Sequence, residues 1–126
     1  MIIVDNALQQ REAEGRPIRV GLIGAGFMAR GLANHIVNTM HGMRLAAVYN
    51  RRIERASDLC EYAGIRDVAD PRTQQETDLA LREGKTVITE DAFQLARAPG
   101  IELLVDITGS VEFGARLCLD AFAHGK

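Results

Sequence analysis

Two hydrophobic periods alternate along this chain. Arg19-Val-Gly-Leu-Ile23 is a compact apolar run that reads as a short buried strand, and after the Gly24-Ala25-Gly26 turn the apolar residues Met28, Leu32, Ile36 and Met40 recur four apart. That spacing predicts a helix burying those four side chains. Gly42 then marks a stop, and Met43 to Tyr49 (MRLAAVY) reads as a second buried strand. Ile53, Ala56, Leu59, Cys60 and Ala63 make one face of a helix that ends at Gly64.

Further on, Ile65 to Pro71 reads as irregular or as a very short strand. Thr73-Gln-Gln-Glu76 has the form of a capping box and opens a polar helix ending at Gly84, with a thin apolar face of Leu79, Leu81 and Ala80. This helix is expected to be a surface insertion spanning about residues 72–85. Thr86 to Thr89 (TVIT) predicts a third strand, with Thr89 capping the helix that Pro99-Gly100 ends. Ile101 to Ile107 (IELLVDI) predicts a fourth buried strand, and Thr108-Gly109-Ser110 a second glycine turn. The last helix is expected to bury Phe113, Leu117, Cys118, Ala121 and Phe122 and to end at Gly125. Ahead of all this, residues 1–17 form an arm in which Asp5 or Asn6 caps a short helix running through Glu14.

Strand, turn and helix repeat in an order that argues for an α/β domain with a parallel sheet and right-handed crossovers. The expected fold is a Rossmann-type doubly wound sheet over residues 18–126, truncated to about four strands in the order 3-2-1-4. The first and fourth strands are then neighbours, and both glycine turns fall at the same end of the sheet, where such folds bind ligands.

The turn after the first strand carries the chemistry. Gly24-x-Gly26-x-x-Ala29 between a strand and a helix fits the dinucleotide-binding fingerprint. Gly24 allows the tight turn, Gly26 lets backbone approach a pyrophosphate, and the bare amides from Phe27 onward face its charge. Ala29 is the third small position, and Gly31 is expected to help the same packing. The same turn also fits two other roles, a glycine turn that only packs, or a flavin or S-adenosylmethionine site. In NAD-binding folds an acidic residue about 20 residues after the glycines holds the ribose 2′-hydroxyl. Here the second strand runs out into Asn50-Arg51-Arg52 instead. A guanidinium grips a 2′-phosphate where a carboxylate repels it, so the pattern favours NADP over NAD, with Arg51 nearest the strand end. The alternative is that Arg51 and Arg52 are solvated residues opening the next helix, with Asn50 as its cap.

Composition narrows the choice further. A net charge of −2 and a pI near 5.9 give no electrostatic reason to expect nucleic acid or an anionic membrane as partner. No apolar stretch approaches the ~20 residues of a membrane span, and no His or Cys pair has metal-ligand spacing. With Cys60 and Cys118 as its two cysteines, the chain is expected in the cytoplasm. His35, His41 and His124 read as structural, and Asp106 as a residue bonding backbone or a neighbouring loop. No order of Ser, Cys, His and Asp suggests nucleophilic catalysis.

Val20-Gly-Leu-Ile-Gly-Ala-Gly-Phe-Met-Ala-Arg-Gly31, Tyr49-Asn-Arg-Arg52, and Leu104-Val-Asp-Ile-Thr-Gly109 with the later His124-Gly-Lys126 resemble the N-terminal domain of homoserine-dehydrogenase-like oxidoreductases. They are also similar to the broader glucose-fructose oxidoreductase and inositol dehydrogenase superfamily. The nearest likeness is to a branch of long proteins, some with a SAF domain after the catalytic part. The resemblance implies NAD(P) held with Gly24, Ala25, Gly26 and the backbone of Phe27 and Met28 around the pyrophosphate. It implies Asn50, Arg51 and Arg52 near the adenosine ribose or its phosphate, and Thr108 and Gly109 near the nicotinamide ribose. It further implies that Lys126 leads into a fifth strand and that a missing domain binds a small polar substrate and supplies the catalytic residues. On that reading the 126-residue chain turns nothing over alone, and the flank of the fourth strand is an edge open to a second copy. The contrasting expectation is a module that senses NAD(P)H, or uses it in an interaction, without catalysis.

Overall fold

In the computed structural model, which describes residues 2–126, the elements follow one another with short connections. They are α1 (Ile2–Ala13), β1 (Ile18–Ile23), α2 (Phe27–Asn38), β2 (Met43–Tyr49), α3 (Ile53–Ala63), β3 (Val68–Ala69), α4 (Gln74–Arg82), β4 (Thr86–Thr89), α5 (Ala92–Arg97), β5 (Leu103–Asp106) and α6 (Val111–Ala123). All strands pair in parallel, in the order β3-β4-β2-β1-β5. The expected order 3-2-1-4 is therefore present as β4-β2-β1-β5, and the two residues of β3 add a fifth strand beside β4.

Side chains alternate across the sheet and feed two cores. Val20, Leu22, Leu45, Val48 and Ile88 face α2 and α3, where Ala29, Ala33, Ile36, Ala56, Leu59, Cys60 and Ala63 meet them. Ile23, Ala47, Tyr49 and Val87 face the other way, onto Ala80 and Leu81 of α4, Leu95 and Ala96 of α5, and Leu117 and Ala121 of α6. Both faces are covered, as a parallel sheet requires.

Several local expectations are corrected. α2 buries Ala29, Ala33 and Ile36, and Met28 is 73% exposed. A helix entered through so short a turn must lie close to the sheet, which selects alanines rather than the larger side chains one position away. Gly31 is exposed and a Cβ there would meet nothing, so it serves no packing. α4 does not lie loosely on the surface with Leu79 in its apolar face: Thr77, Ala80 and Leu81 are buried while Leu79 is half exposed. Thr77 is tolerated inside because its hydroxyl donates to Gln94 Oε1 at 2.9 Å. Thr73 does cap α4, accepting from the Glu76 amide at 3.1 Å, and the Glu76 carboxylate reaches back to the Arg72 amide. α5 is capped by Asp91, which accepts from the Phe93 amide at 3.0 Å; Thr89 accepts instead from the Asp91 amide.

β5 is shorter than the Ile101–Ile107 run, and it is half exposed rather than buried because among the described residues it is a sheet edge, paired only with β1. For the same reason Cys118 is exposed and Phe122 is 68% exposed: α6 turns only one side toward α5 and Tyr49. α1 begins at Ile2, so Asp5 lies in its first turn and caps nothing; Met1 lies outside the described residues. α1 buries none of its own residues, yet it is docked. Gly42 has φ +76°, and a Cβ there would overlap the Leu8 carbonyl, so only glycine lets the arm lie against the start of β2.

Candidate functional site: the crevice at the strand ends

Where β1 and β5 lie side by side, the connections leaving their C-terminal ends diverge, α2 to one face of the sheet and α6 to the other. This is the point at which an open α/β sheet leaves a crevice. Here the crevice has a volume of about 480 Å³, within the usual range for small-molecule sites. Gly24, Ala25 and Gly26 form its floor on one side, Asn50 and Arg51 rise from the end of β2, and Thr108 and Ser110 close the β5 side.

Gly24 is the residue that makes the approach possible. It has φ +121°, a conformation L side chains rarely adopt, and a Cβ would sit 3.2 Å from the Ile107 carbonyl. Its amide donates to the Tyr49 carbonyl at 2.9 Å, and the Ile107 amide donates to the Ile23 carbonyl at 2.9 Å, so three strand ends are stitched around it. Gly26 differs. It has φ −79°, ordinary for any residue, and a Cβ there would meet no atom within 4 Å. Freedom of backbone is thus needed at Gly24 alone, and at Gly26 the absence of a side chain leaves open space above the first turn of α2. No side chain caps that helix, so its leading amides are free to meet a negatively charged group.

The opposite wall is held by Asp106. Its Oδ1 accepts from the Thr108 amide at 2.9 Å and from the Thr108 hydroxyl at 2.8 Å, and Thr108 Oγ1 accepts in turn from the Ser110 amide at 3.2 Å. Asp106 therefore positions the Thr108 turn, in line with its reading as a loop-bonding residue. Gly114 makes room for it, since a Cβ there would overlap Asp106 Oδ2. Gly109, at φ +73°, lies beyond the crevice on the side facing α6.

The structure thus brings Gly24, Ala25, Gly26, Asn50, Arg51 and Thr108 together around one space. Phe27 and Met28 do not line that space; their side chains point outward, and Phe27 is 91% exposed and borders a neighbouring depression with Arg30, Arg55 and Asp58. Arg52 stands at the N-cap position of α3, exposed and outside the crevice. Asn50 is not the cap of α3; its side chain donates to the Arg52 carbonyl at 3.1 Å, which shapes the loop carrying Arg51.

Sequence reasoning missed an aromatic wall. Tyr49 and Phe113 both line the crevice and stack with centroids 5.6 Å apart, and Phe93 meets Phe113 edge-on at 6.2 Å. The place of Tyr49, last in its strand, was the available signal, since residues at strand C-termini face ligands in this architecture. Burial raises the Tyr49 hydroxyl above its ordinary pKa; nearby Arg51 opposes this and Asp91 and Glu90 add to it. The phenol is therefore neutral near pH 7. No carboxylate and no histidine among the described residues lines the space. Among the described residues no group of His, Cys, Asp and Glu stands ready to hold a metal ion, and no helix is long and apolar enough to cross a membrane.

Residues 18–126 match the model of a family described as "Oxidoreductase family, NAD-binding Rossmann fold". No curated protein matches the chain. Among solved structures, myo-inositol dehydrogenase from Lactobacillus casei in complex with NAD(H) and myo-inositol is similar at TM-score 0.60 and 20% identity, over 87% of this chain and 26% of that one. The scyllo-inositol dehydrogenase of the same organism, with bound NAD(H) and scyllo-inositol, is similar at TM-score 0.60 and 16% identity over the same shares. At such identities the likeness is one of fold, and this chain spans 26% of the length of either enzyme.

Proposed function

Because the chain belongs to the oxidoreductase family with the NAD-binding Rossmann fold, we propose that it is the dinucleotide-holding part of a homoserine-dehydrogenase-like oxidoreductase of the cytoplasm. One observation carries this reading. The Gly24 turn, the uncapped start of α2 and the Thr108 turn converge on one crevice at the ends of β1 and β5. A Cβ at Gly26 would occupy the space a pyrophosphate needs, and the amides of Phe27 and Met28 would supply its hydrogen bonds. Thr108 would border the nicotinamide ribose, and Asn50 and Arg51 the adenosine ribose, while Gly109 and Arg52, outside the crevice, would touch neither. When bound, the nicotinamide supplies the hydride chemistry. This chain's residues hold and orient it: Asp106 fixes the Thr108 turn, and Tyr49 with Phe113 forms an apolar wall that keeps water from one side.

The preference proposed is NADP over NAD. Arg51 lies in the crevice lining and no acid shares it, so a 2′-phosphate finds a partner and no repulsion. With no carboxylate, histidine or lysine in that lining among the described residues, the acid–base groups and the pocket for a small polar metabolite are proposed to lie outside residues 18–126. Residues 1–17 are proposed to be an arm separate from the dinucleotide unit. Calorimetric titration with NADPH and NADH, on the parent chain and on Arg51→Asp, tests the assignment. Charge-assisted hydrogen bonds are worth about 1.5–3 kcal/mol, so Arg51→Asp is expected to weaken NADPH by about 10- to 100-fold and NADH little. Tighter NADH than NADPH in the parent, or no effect of Arg51→Asp, overturns the preference.

A further inference from the structure

We propose that the cleft between the N-terminal arm and the starting ends of β1 and β2 is a second binding site, for a small metabolite carrying two phosphate groups. It lies at the opposite end of the sheet from the dinucleotide crevice and has a volume of about 550 Å³. Four guanidinium groups line it, from Arg11, Arg16, Arg19 and Arg44, against one carboxylate, Glu102.

Arg19 and Arg44 are register partners on adjacent parallel strands, so their side chains leave the same face one strand spacing apart. Like charges set side by side on neighbouring strands destabilise a sheet. The arm adds two more. Glu102 serves Arg11, whose Nη2 donates to Oε2 at 3.0 Å, and Arg19, whose Nη2 lies 3.2 Å from Oε1. Arg16 pairs with Glu14 in the arm. Arg44 has no carboxylate within ion-pair distance among the described residues, and burial together with Arg19 lowers its pKa against the opposing charge of Asp67.

Backbone holds three of the four side chains still, while Arg16 is held by the Glu14 carboxylate. Arg19 Nε donates to the Gly100 carbonyl at 2.8 Å, Arg11 Nε to the Arg16 carbonyl at 2.9 Å, and Arg44 Nη2 to the Gly84 carbonyl. Carbonyls fix position without cancelling charge, and each guanidinium has five N–H donors, so every one keeps donors with no protein acceptor. The result is an arrangement pre-organised for an anion and missing its counter-charge. A tetrahedral phosphate accepts from two forked guanidiniums at once, which the Arg19–Arg44 pair offers, and Arg11 and Arg16 across the cleft suit a second phosphate.

Calorimetric titration of the whole chain with fructose 1,6-bisphosphate, as a probe of this ligand class, is the test. Saturable binding is expected, weakened at least tenfold by Arg19→Gln and by Arg44→Gln and unchanged in Arg51→Gln. Removing one of two apposed charges is expected to leave the thermal midpoint of Arg44→Gln level or higher. Should that variant not fold, Arg44→Lys keeps the charge and loses the fork, and a several-fold loss of affinity is expected. Absence of saturable binding, equal binding by parent and both glutamine variants, or by parent and the lysine variant, overturns the proposal. So does loss of binding in Arg51→Gln, which would put the probe in the dinucleotide crevice, or tighter binding of an oligoglutamate peptide.

Discussion

Gly24 and Gly26 stand two residues apart in one turn, and alanine at each is expected to fail in a different way. At Gly24, φ is +121° and the added Cβ lies 3.2 Å from the Ile107 carbonyl oxygen. Forced residence in a sparsely populated backbone region costs about 1–3 kcal/mol, and the tight contact adds to it. For a domain of this size each kcal/mol lowers the melting midpoint by about 3–5 °C, so Gly24→Ala should melt lower by roughly 3–15 °C. At Gly26, φ is −79° and no atom lies within 4 Å of the added methyl. Alanine is the poorer N-cap, a loss under about 1 kcal/mol, so Gly26→Ala keeps its fold and nearly its midpoint. Its methyl nonetheless projects into the space above the first turn of α2. Dinucleotide affinity should therefore fall at least tenfold while stability hardly moves. Thermal melting and calorimetric titration with NADPH on both variants read the two effects separately. If Gly26→Ala bound NADPH as well as the parent, the turn would be a packing device, and the reasoning that assigns it to a pyrophosphate would be wrong.

Two further outcomes follow from the packing. Gly42→Ala sets a methyl against the Leu8 carbonyl at a positive φ; since α1 buries none of its residues, the strain is relieved by lifting the arm. Hydrogen exchange should show lost protection confined to α1 and the start of β2, and a global loss would contradict this. Burial raises the Cys60 thiol to about 11, whereas Cys118 is exposed. At pH 8 only about one Cys60 in 1,000 is thiolate, so iodoacetamide followed by mass spectrometry should label Cys118 first; equal rates would show that Cys60 is not shielded.

The strand order, and the glycine turns that meet at one end of it, were legible because hydrophobic runs and glycines report on backbone directly. β2 fell where MRLAAVY predicted it, and α3 buries the face expected up to Gly64. Which face a helix buries was less legible where size outweighs hydrophobicity. On α2 the stripe of Met28 and Leu32 is one position off the alanines that closeness to the sheet demands. On α4 a satisfied threonine replaced an apolar residue at the core, and no count of apolar residues reveals a hydrogen bond to Gln94. α6 failed for a third reason. Its sequence is apolar around much of its circumference, and only the tertiary arrangement tells that Phe122 faces outward. At the crevice, residues acting through backbone or through a strand-end position were visible, whereas the stacking of Tyr49 on Phe113 joins segments 64 positions apart and leaves no local trace.

That β1 has such different neighbours on its two sides has an entropic consequence. Its pairing with β2 joins residues 25 positions apart, Ile18 with Met43, while its pairing with β5 joins residues 83 apart, Val20 with Leu103. Closing the longer loop costs about 1 kcal/mol more chain entropy, and among the described residues β5 has no second strand to share that cost. The crevice is thus built across the seam of the sheet that is most expensive to close, and a ligand touching both the Gly24 and Thr108 turns would act as a clasp on it.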